Sequence, residues 1–233
     1  MYRTDSLDGA ALDGTQTHRH RAVPRFKASR FQKGLKRLVD IAGAAIFFTL
    51  GLPLFVAVAV GVWISSPGPI FYSQLRVGRK GRLFRFWKFR SMLIDSEEVL
   101  TSFLDSDSQA RQKWDTHQKI ENDPRVTRFG RFIRRTSLDE LPQFWNVLRG
   151  DMSLVGPRPV TSQEEARYGE YWAAYCAVRP GLTGLWQVSG RSRVSYAKRV
   201  RMDERYVQDW SLVLDAKILL RTVKVVVTAH GSM

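Results

Sequence analysis

Two adjacent carboxylates, Asp139 and Glu140, stand in a stretch crowded with arginine. Arg125, Arg128, Arg131, Arg134 and Arg135 come just before them, and Arg149 and Arg158 follow. Residues of these types suit phosphate chemistry. One or two carboxylates can hold a Mg²⁺ ion whose shell is completed by phosphate oxygens and water. Guanidinium groups bind phosphate oxygens two at a time. A carboxylate can also attack phosphorus and form an acyl phosphate, dividing one difficult transfer into two easier ones. The same residues have a plainer reading. Ser137-Leu138-Asp139-Glu140 fits a capping box, Glu140 reaching back to the cap while Asp139 offsets the positive end of the helix dipole. Pro142 fits a helix only in its first turn. Local spacing favours the cap, and the arginine setting favours a site.

The elements that must position this pair begin with residues 38–64, an apolar run in which Asp40 is the one charge. Roughly 20 apolar residues let a helix cross the hydrocarbon core of a bilayer, and this run has no polar face to suggest a buried soluble helix. Both flanks are basic. Arg21, Arg25, Lys27, Arg30, Lys33, Lys36 and Arg37 precede it, and Arg76, Arg79, Lys80, Arg82, Arg85, Lys88 and Arg90 follow, with no acid in either flank. The positive-inside rule then gives no direction of crossing. A segment that enters and returns on one side resolves the conflict, and Pro53, two residues after Gly51, supplies the break. Simple spanning is the alternative, since Pro and Gly do occur in spanning helices.

The formal net charge of +15 calls for a polyanionic partner: nucleic acid, an anionic membrane surface or phosphorylated substrates. Nucleic acid leaves the apolar run unexplained. A single cysteine, Cys176, precludes an intrachain disulfide and suits a reducing, cytosol-facing compartment. Residues 1–20 are polar and aperiodic, a tail rather than a signal peptide. Further on, SPGP at residues 66–69 is a turn, and IFYSQL and LFRFWKF flank a glycine loop as a hairpin would. Residues 95–117 are acidic and helix-prone, with a break around 105–108. Tyr168, Tyr171, Trp172 and Tyr175 fall at i, i+3, i+4 and i+7 of a helix predicted over residues 166–178, a stripe that serves either core packing or the membrane interface. The run DAKILLRTVKVVVTA, with Lys217, Arg221 and Lys224 along it, reads as a helix lying on a lipid surface.

These motifs occur together in an order that resembles one family. KRLVDI, the Pro53-broken apolar run, SPGPIFYSQLRVGRKG, KFRSM, the arginine-rich stretch through SLDELPQFWNVLRGDMSLVGPRP, RPGLTGLWQV and YVQDWSLVLDAKILLRTV are similar to the bacterial sugar transferases. These are monotopic enzymes that move a hexose-1-phosphate onto a polyprenyl phosphate at the start of exopolysaccharide, O-antigen and glycan assembly. The resemblance runs from about Lys36 to the C-terminus and implies a ping-pong reaction. Asp139 would attack the β-phosphate of a UDP-sugar and release UMP, and the covalent phosphosugar would pass to the lipid phosphate. Glu140, with Asp139, would hold Mg²⁺. Arg134, Pro157, Arg158 and Pro159 match the phosphate and nucleotide pocket, and Lys88 and Arg90 match basic positions near it. The segment at residues 95–117 resembles relatives acting on glucose or galactose donors, and the short N-terminal tail resembles the minimal form of the family.

The expected architecture is α+β: mainly α with a small β component. Residues 1–20 form a tail, 21–65 a basic segment with a re-entrant membrane helix, and 66–233 a catalytic domain on the cytoplasmic face of the inner membrane. Its expected partners are a UDP-sugar, a polyprenyl phosphate and the membrane, with no nucleic acid and with homo-oligomerisation left open.

Overall fold

The computed structural model describes residues 28–117, 120, 122–190 and 194–227. The tail expected over residues 1–20 and the start of the basic segment lie outside them. Helix α1 (Arg30–Leu50) starts on a capping box: the Ser29 hydroxyl accepts from the Gln32 amide, and the Gln32 side chain accepts from the Ser29 amide. It stops at Gly51, and α2 (Leu52–Ser65) leaves at a bend of 67°. Pro53 lies in the first turn of α2, where its missing N–H costs no helical hydrogen bond. Among the described residues no single helix is long and apolar enough to cross a membrane, but the bent pair passes that test together. The break expected at Gly51 and Pro53 is therefore present.

Strands β1 (Phe71–Val77) and β2 (Leu83–Phe89) form the expected hairpin, in a register that pairs Phe71 with Phe89 and Val77 with Leu83. Lys80 and Gly81 both take positive φ at its tip. Helices α3 (Ser96–Ser106) and α4 (Ser108–His117) break at Asp107, inside the window read from sequence. The Asp107 carboxylate accepts the first amides of α4, from Gln109 and Ala110. Next come α5 (Arg128–Arg135), α6 (Gln143–Arg149) and β3 (Ser153–Val155). Strand β3 pairs in parallel with β4 (Gly181–Thr183), so among the described residues the β component is two two-stranded sheets in a mainly helical fold, as expected.

One expected helix is not continuous. Over residues 166–178 the chain forms α7 (Glu165–Tyr168), a 3-10 turn and α8 (Trp172–Ala177), because Gly169 takes φ +51. The aromatics still gather on one side. Tyr168 and Tyr175 are buried at 2% exposure each, and Trp172 stacks on Tyr175 at 5.2 Å. Of the two roles open to this stripe, core packing is the one it fills. Helices α9 (Tyr196–Gln208) and α10 (Leu212–Val227) close the fold. In α10, Ile218 and Asp215 are buried, while Val213, Leu220 and Val223 are exposed.

Charged side chains of α1 tie the bent helix to the rest of the domain. The Asp40 carboxylate, 2% exposed, accepts from Ser153 Oγ and the Leu154 amide at 2.9 Å each. Lys36 Nζ donates to the Val155 carbonyl at 3.0 Å and pairs with Asp215 at 2.6 Å. Arg37 covers the Val147 and Leu148 carbonyls in the last turn of α6. The charges in KRLVDI thus grip β3, α6 and α10, while the opposite side of α1 leaves Leu38, Ile41 and Ile46 exposed.

Candidate active site

Asp139 and Glu140 lie on a 3-10 turn, Leu138–Glu140, between α5 and α6. The capping box read from sequence does not form. Ser137 takes the left-handed conformation, φ +60, and its side chain caps nothing; Pro142 occupies the cap position of α6 instead. An N-cap needs extended backbone so that its hydroxyl can reach the amides ahead. The sharp exit from α5 denies Ser137 that geometry and turns both acids toward β2.

There Lys88 meets them. Its Nζ lies 3.0 Å from Asp139 Oδ2 and 2.8 Å from Glu140 Oε1, so one ammonium bridges both carboxylates. Arg158 approaches Glu140 Oε1 from the other side at 3.6 Å. Asp139 is 6% exposed, and burial pushes its carboxyl above the usual range. Lys88 and Arg134 oppose that shift, and the neighbouring Glu140 charge adds to it. Arg134 is held by its Nε, which donates to Ser91 Oγ at 2.7 Å. Helix α5 can bring it there because Gly130 lets the backbone of α5 pass against the Ser91 carbonyl, a contact any Cβ would block.

Pro157, Arg158 and Pro159 follow β3 on a close backbone crossing. The Gly156 amide donates to the Thr183 carbonyl at 2.9 Å, and the Gly181 amide donates to the Pro157 carbonyl at 2.8 Å. A side chain on Gly156, Gly181 or Gly184 would strike the facing backbone. The prolines thus shape the chain while Arg158 supplies the cation, its guanidinium 5.8 Å from the centre of the Trp186 ring.

Arg90 is placed differently from the other predicted basic residues. Its Nη2 donates to the Ser66 carbonyl at the end of α2, its Nε and Nη1 have no hydrogen-bond partner among the described residues, and desolvation lowers its pKa. Lys88, Asp139, Glu140 and Arg158 come together, Arg134 acts on Asp139 through its charge, and Arg90 sits under the turn that leaves α2. Pro53 stays in the membrane-segment candidate.

Sequence reasoning missed the network behind Arg158. Glu164 accepts from Tyr196 at 2.9 Å and pairs with Arg76 at 3.5 Å and Arg199 at 3.6 Å. Arg199 also lies 4.0 Å from Asp203 and 5.0 Å from the centre of Trp186. Asp203 is 2% exposed and accepts from Tyr168 at 2.7 Å; burial raises its carboxyl to about 6. Arg76, Glu164 and Asp203 stand far apart in the chain with no local pattern to join them.

The arrangement suits a divalent cation held jointly with a substrate. Among the described residues no group of three or more His, Cys, Asp or Glu could hold a metal alone. Mg²⁺ does not require one, since it takes one or two carboxylates and keeps water and phosphate as its other ligands. The Lys88 ammonium shows that Asp139 and Glu140 converge on one cation, so the pair fits that donor set.

The description "bacterial sugar transferase" matches residues 31–229. The chain is 52% identical over 205 residues to a UDP-galactose-lipid carrier transferase of Erwinia amylovora, covering 88% of this chain and 42% of that protein. It is 45% identical over 197 residues to the exopolysaccharide production protein ExoY of Rhizobium meliloti, covering 84% of this chain and 87% of that protein. A UDP-glucose:undecaprenyl-phosphate glucose-1-phosphate transferase of Escherichia coli is 40% identical over 198 residues, covering 81% of this chain and 39% of that protein. The chain thus spans about two fifths of the length of the Erwinia and Escherichia relatives. The matched stretch takes in the carboxylate pair and both halves of the bent helix, and by that match the chain belongs to the bacterial sugar transferase family.

Proposed function

We propose that the protein transfers a hexose-1-phosphate from a UDP-sugar, glucose or galactose, to polyprenyl phosphate and releases UMP. The observation that carries this reading is the buried Asp139 beside Glu140, with Lys88 bridging the two and Arg158 at the Glu140 edge. Asp139 is the nucleophile. A carboxylate oxygen of Asp139 forms a bond to the β-phosphorus of the donor. The bond from that phosphorus to the bridging oxygen breaks, and its electron pair leaves with UMP. An oxygen of the lipid phosphate then attacks the same phosphorus, the bond to Asp139 breaks, and the carboxylate is restored. Both steps move negative charge across the space that Lys88, Arg134 and Arg158 face, and fixed cations there stabilise it without reorganising. Bound Mg²⁺, held by Glu140 with Asp139, would neutralise diphosphate charge.

The bent apolar pair supports a re-entrant anchor with Gly51 and Pro53 at its depth, and the basic residues on both flanks favour the cytoplasmic face of the inner membrane for the catalytic domain. A soluble donor and a membrane-borne acceptor could then reach one carboxylate. The relatives' names support both the UDP-sugar donors and the undecaprenyl phosphate acceptor. The test is a reaction without lipid: the protein with UDP-galactose or UDP-glucose should release one UMP per active site and retain labelled phosphosugar, and Asp139→Asn should do neither. Release of UDP would sink the phosphosugar mechanism.

A further inference from the structure

Helix α5 presents two unlike faces. Phe129, Gly130 and Ile133 turn inward, where Ile133 is fully buried with Val58 and Val62 of α2, and Phe129 fills the space beside Gly61. Arg128, Arg131, Phe132 and Arg135, at i, i+3, i+4 and i+7, share the outer face. All four are exposed, Phe132 by 52%. No ion pair joins any of the three arginines to a carboxylate among the described residues, and α5 has no acid of its own. Arg134, on the other side of this helix, is the arginine whose charge acts on Asp139.

We propose that this outer face of α5 docks on anionic phospholipid headgroups and makes the protein's membrane attachment selective for anionic bilayers. A solvated charged face is the ordinary use of such arginines, but it does not account for a phenyl ring that stays half-exposed among them although one side of it meets Phe129 at 5.9 Å. An aromatic ring flanked by long cationic side chains suits the boundary between acyl chains and headgroups. The position agrees. Helix α5 packs against Val58, Gly61 and Val62, and α2 still exposes Trp63 and Ile64 in its last turn. That is the turn at which the apolar pair gives way to the polar chain. A helix seated there lies level with lipid phosphates, and its three guanidinium groups meet the charge they complement. The inference rests on the membrane placement of α1 and α2.

The test is flotation of the purified full chain, diluted from detergent, with vesicles of phosphatidylcholine alone or containing phosphatidylglycerol. Each basic residue close to an anionic surface contributes about fivefold in partitioning at low salt. The wild type should favour the anionic vesicles by about tenfold or more, and high salt should collapse the difference. Arg128→Gln/Arg131→Gln/Arg135→Gln should still float with both vesicles but without preference, while releasing UMP in detergent as the wild type does. If the triple variant does not fold, Arg131→Gln alone should lower the preference about fivefold. Arg79→Gln/Lys80→Gln/Arg82→Gln, at the hairpin tip, should keep the full preference. A wild type that floats equally with both vesicles overturns the inference, as does a triple variant that keeps its preference. Loss of preference in the hairpin-tip variant overturns it too. A wild type that floats with neither vesicle overturns the membrane placement itself.

Discussion

Lys88→Met removes the cation that Asp139 and Glu140 share. At 3.0 and 2.8 Å, and with an effective dielectric near 20, the two gross attractions are about 5.5 and 6 kcal/mol. Desolvation offsets most of this. Removing one partner of a buried pair leaves a net loss of about 3–5 kcal/mol, and the 24% exposure of Lys88 sets the lower end, about 3 kcal/mol. Until Mg²⁺ binds, two adjacent carboxylates without Lys88 will not both stay ionised, so a proton on Asp139 competes with the metal. Asp139 is the more buried, and its carboxyl, already raised by burial, moves further up. Protonated Asp139 is no nucleophile. UMP release near neutral pH should therefore fall about a hundredfold, the rate equivalent of nearly 3 kcal/mol. The acid limb of the pH–rate profile should shift to higher pH, and part of the rate should return in alkaline buffer. Lys88→Arg, which keeps a cation at the pair, should hold the limb near its wild-type position. The measurement is single-turnover UMP release across pH with saturating UDP-sugar. A Lys88→Met profile that is lower at every pH with an unmoved limb would refute the reasoning, because Lys88 would then act on the substrate and not on Asp139.

Further expectations follow from buried groups around the site. Asp203 binds its proton more tightly in the fold, at about 6 against an ordinary value of 3.8. Between those values the folded state keeps a proton that the unfolded chain has lost, so stability falls as pH rises, by about 3 kcal/mol in all. Thermal unfolding of Asp203→Asn from pH 4 to 7 should lack that slope, and an unchanged slope would assign it to other groups. Asp40→Ala leaves Ser153 Oγ and the Leu154 amide buried without their acceptor and should cost about 2–4 kcal/mol, whereas Asp40→Asn keeps an oxygen there and should cost less; denaturant midpoints separate the two. Gly181→Ala drives a Cβ into the Gly156 backbone and should destabilise by about 1–3 kcal/mol or more, with loss of UMP release as Arg158 moves. Reporters fused before α1 and after α2 should report the same side of the membrane, and opposite sides would exclude re-entry.

What the sequence made legible depends on how far each signal reaches along the chain. The hairpin, the break before Pro53 and the interruption near Asp107 are written in neighbouring residues, so turn chemistry and alternation reveal them. The capping box failed for a reason outside its four letters. Ser-x-x-Glu caps a helix when its Ser is extended, but α5 packed on α2 and β2 forces Ser137 into φ +60. The predicted 166–178 helix failed at one glycine, Gly169, whose φ of +51 a side chain would disfavour and which breaks the helical repeat between Tyr168 and Trp172. Of the residues that the resemblance pointed to, the fold brings Asp139, Glu140, Lys88 and Arg158 together and leaves Arg90 apart. No spacing rule joins residue 88 to residues 139, 140 and 158. The Arg76–Glu164–Arg199–Asp203 network was illegible for the same reason, since β1, the 3-10 turn at residues 162–164 and α9 meet only in the fold.

The grip of α1 gives the site a mechanical consequence. Asp40 holds Ser153 and Leu154, and Lys36 holds Val155, so every residue of β3 is fastened to the bent helix. Gly156 and then Arg158 follow at once, on a crossing too close for side chains to give way. A shift of α1 along its axis must therefore carry β3 with it and change the 3.6 Å approach of Arg158 to Glu140. Apolar anchor and cationic wall are coupled through one three-residue strand. If the anchor rests in a bilayer, the depth at which α1 sits and the charge facing Glu140 are not independent. That coupling explains why two charges, Lys36 and Asp40, stand in and beside an apolar helix where burial penalises them: their partners are the backbone and side chains of the strand that leads to Arg158.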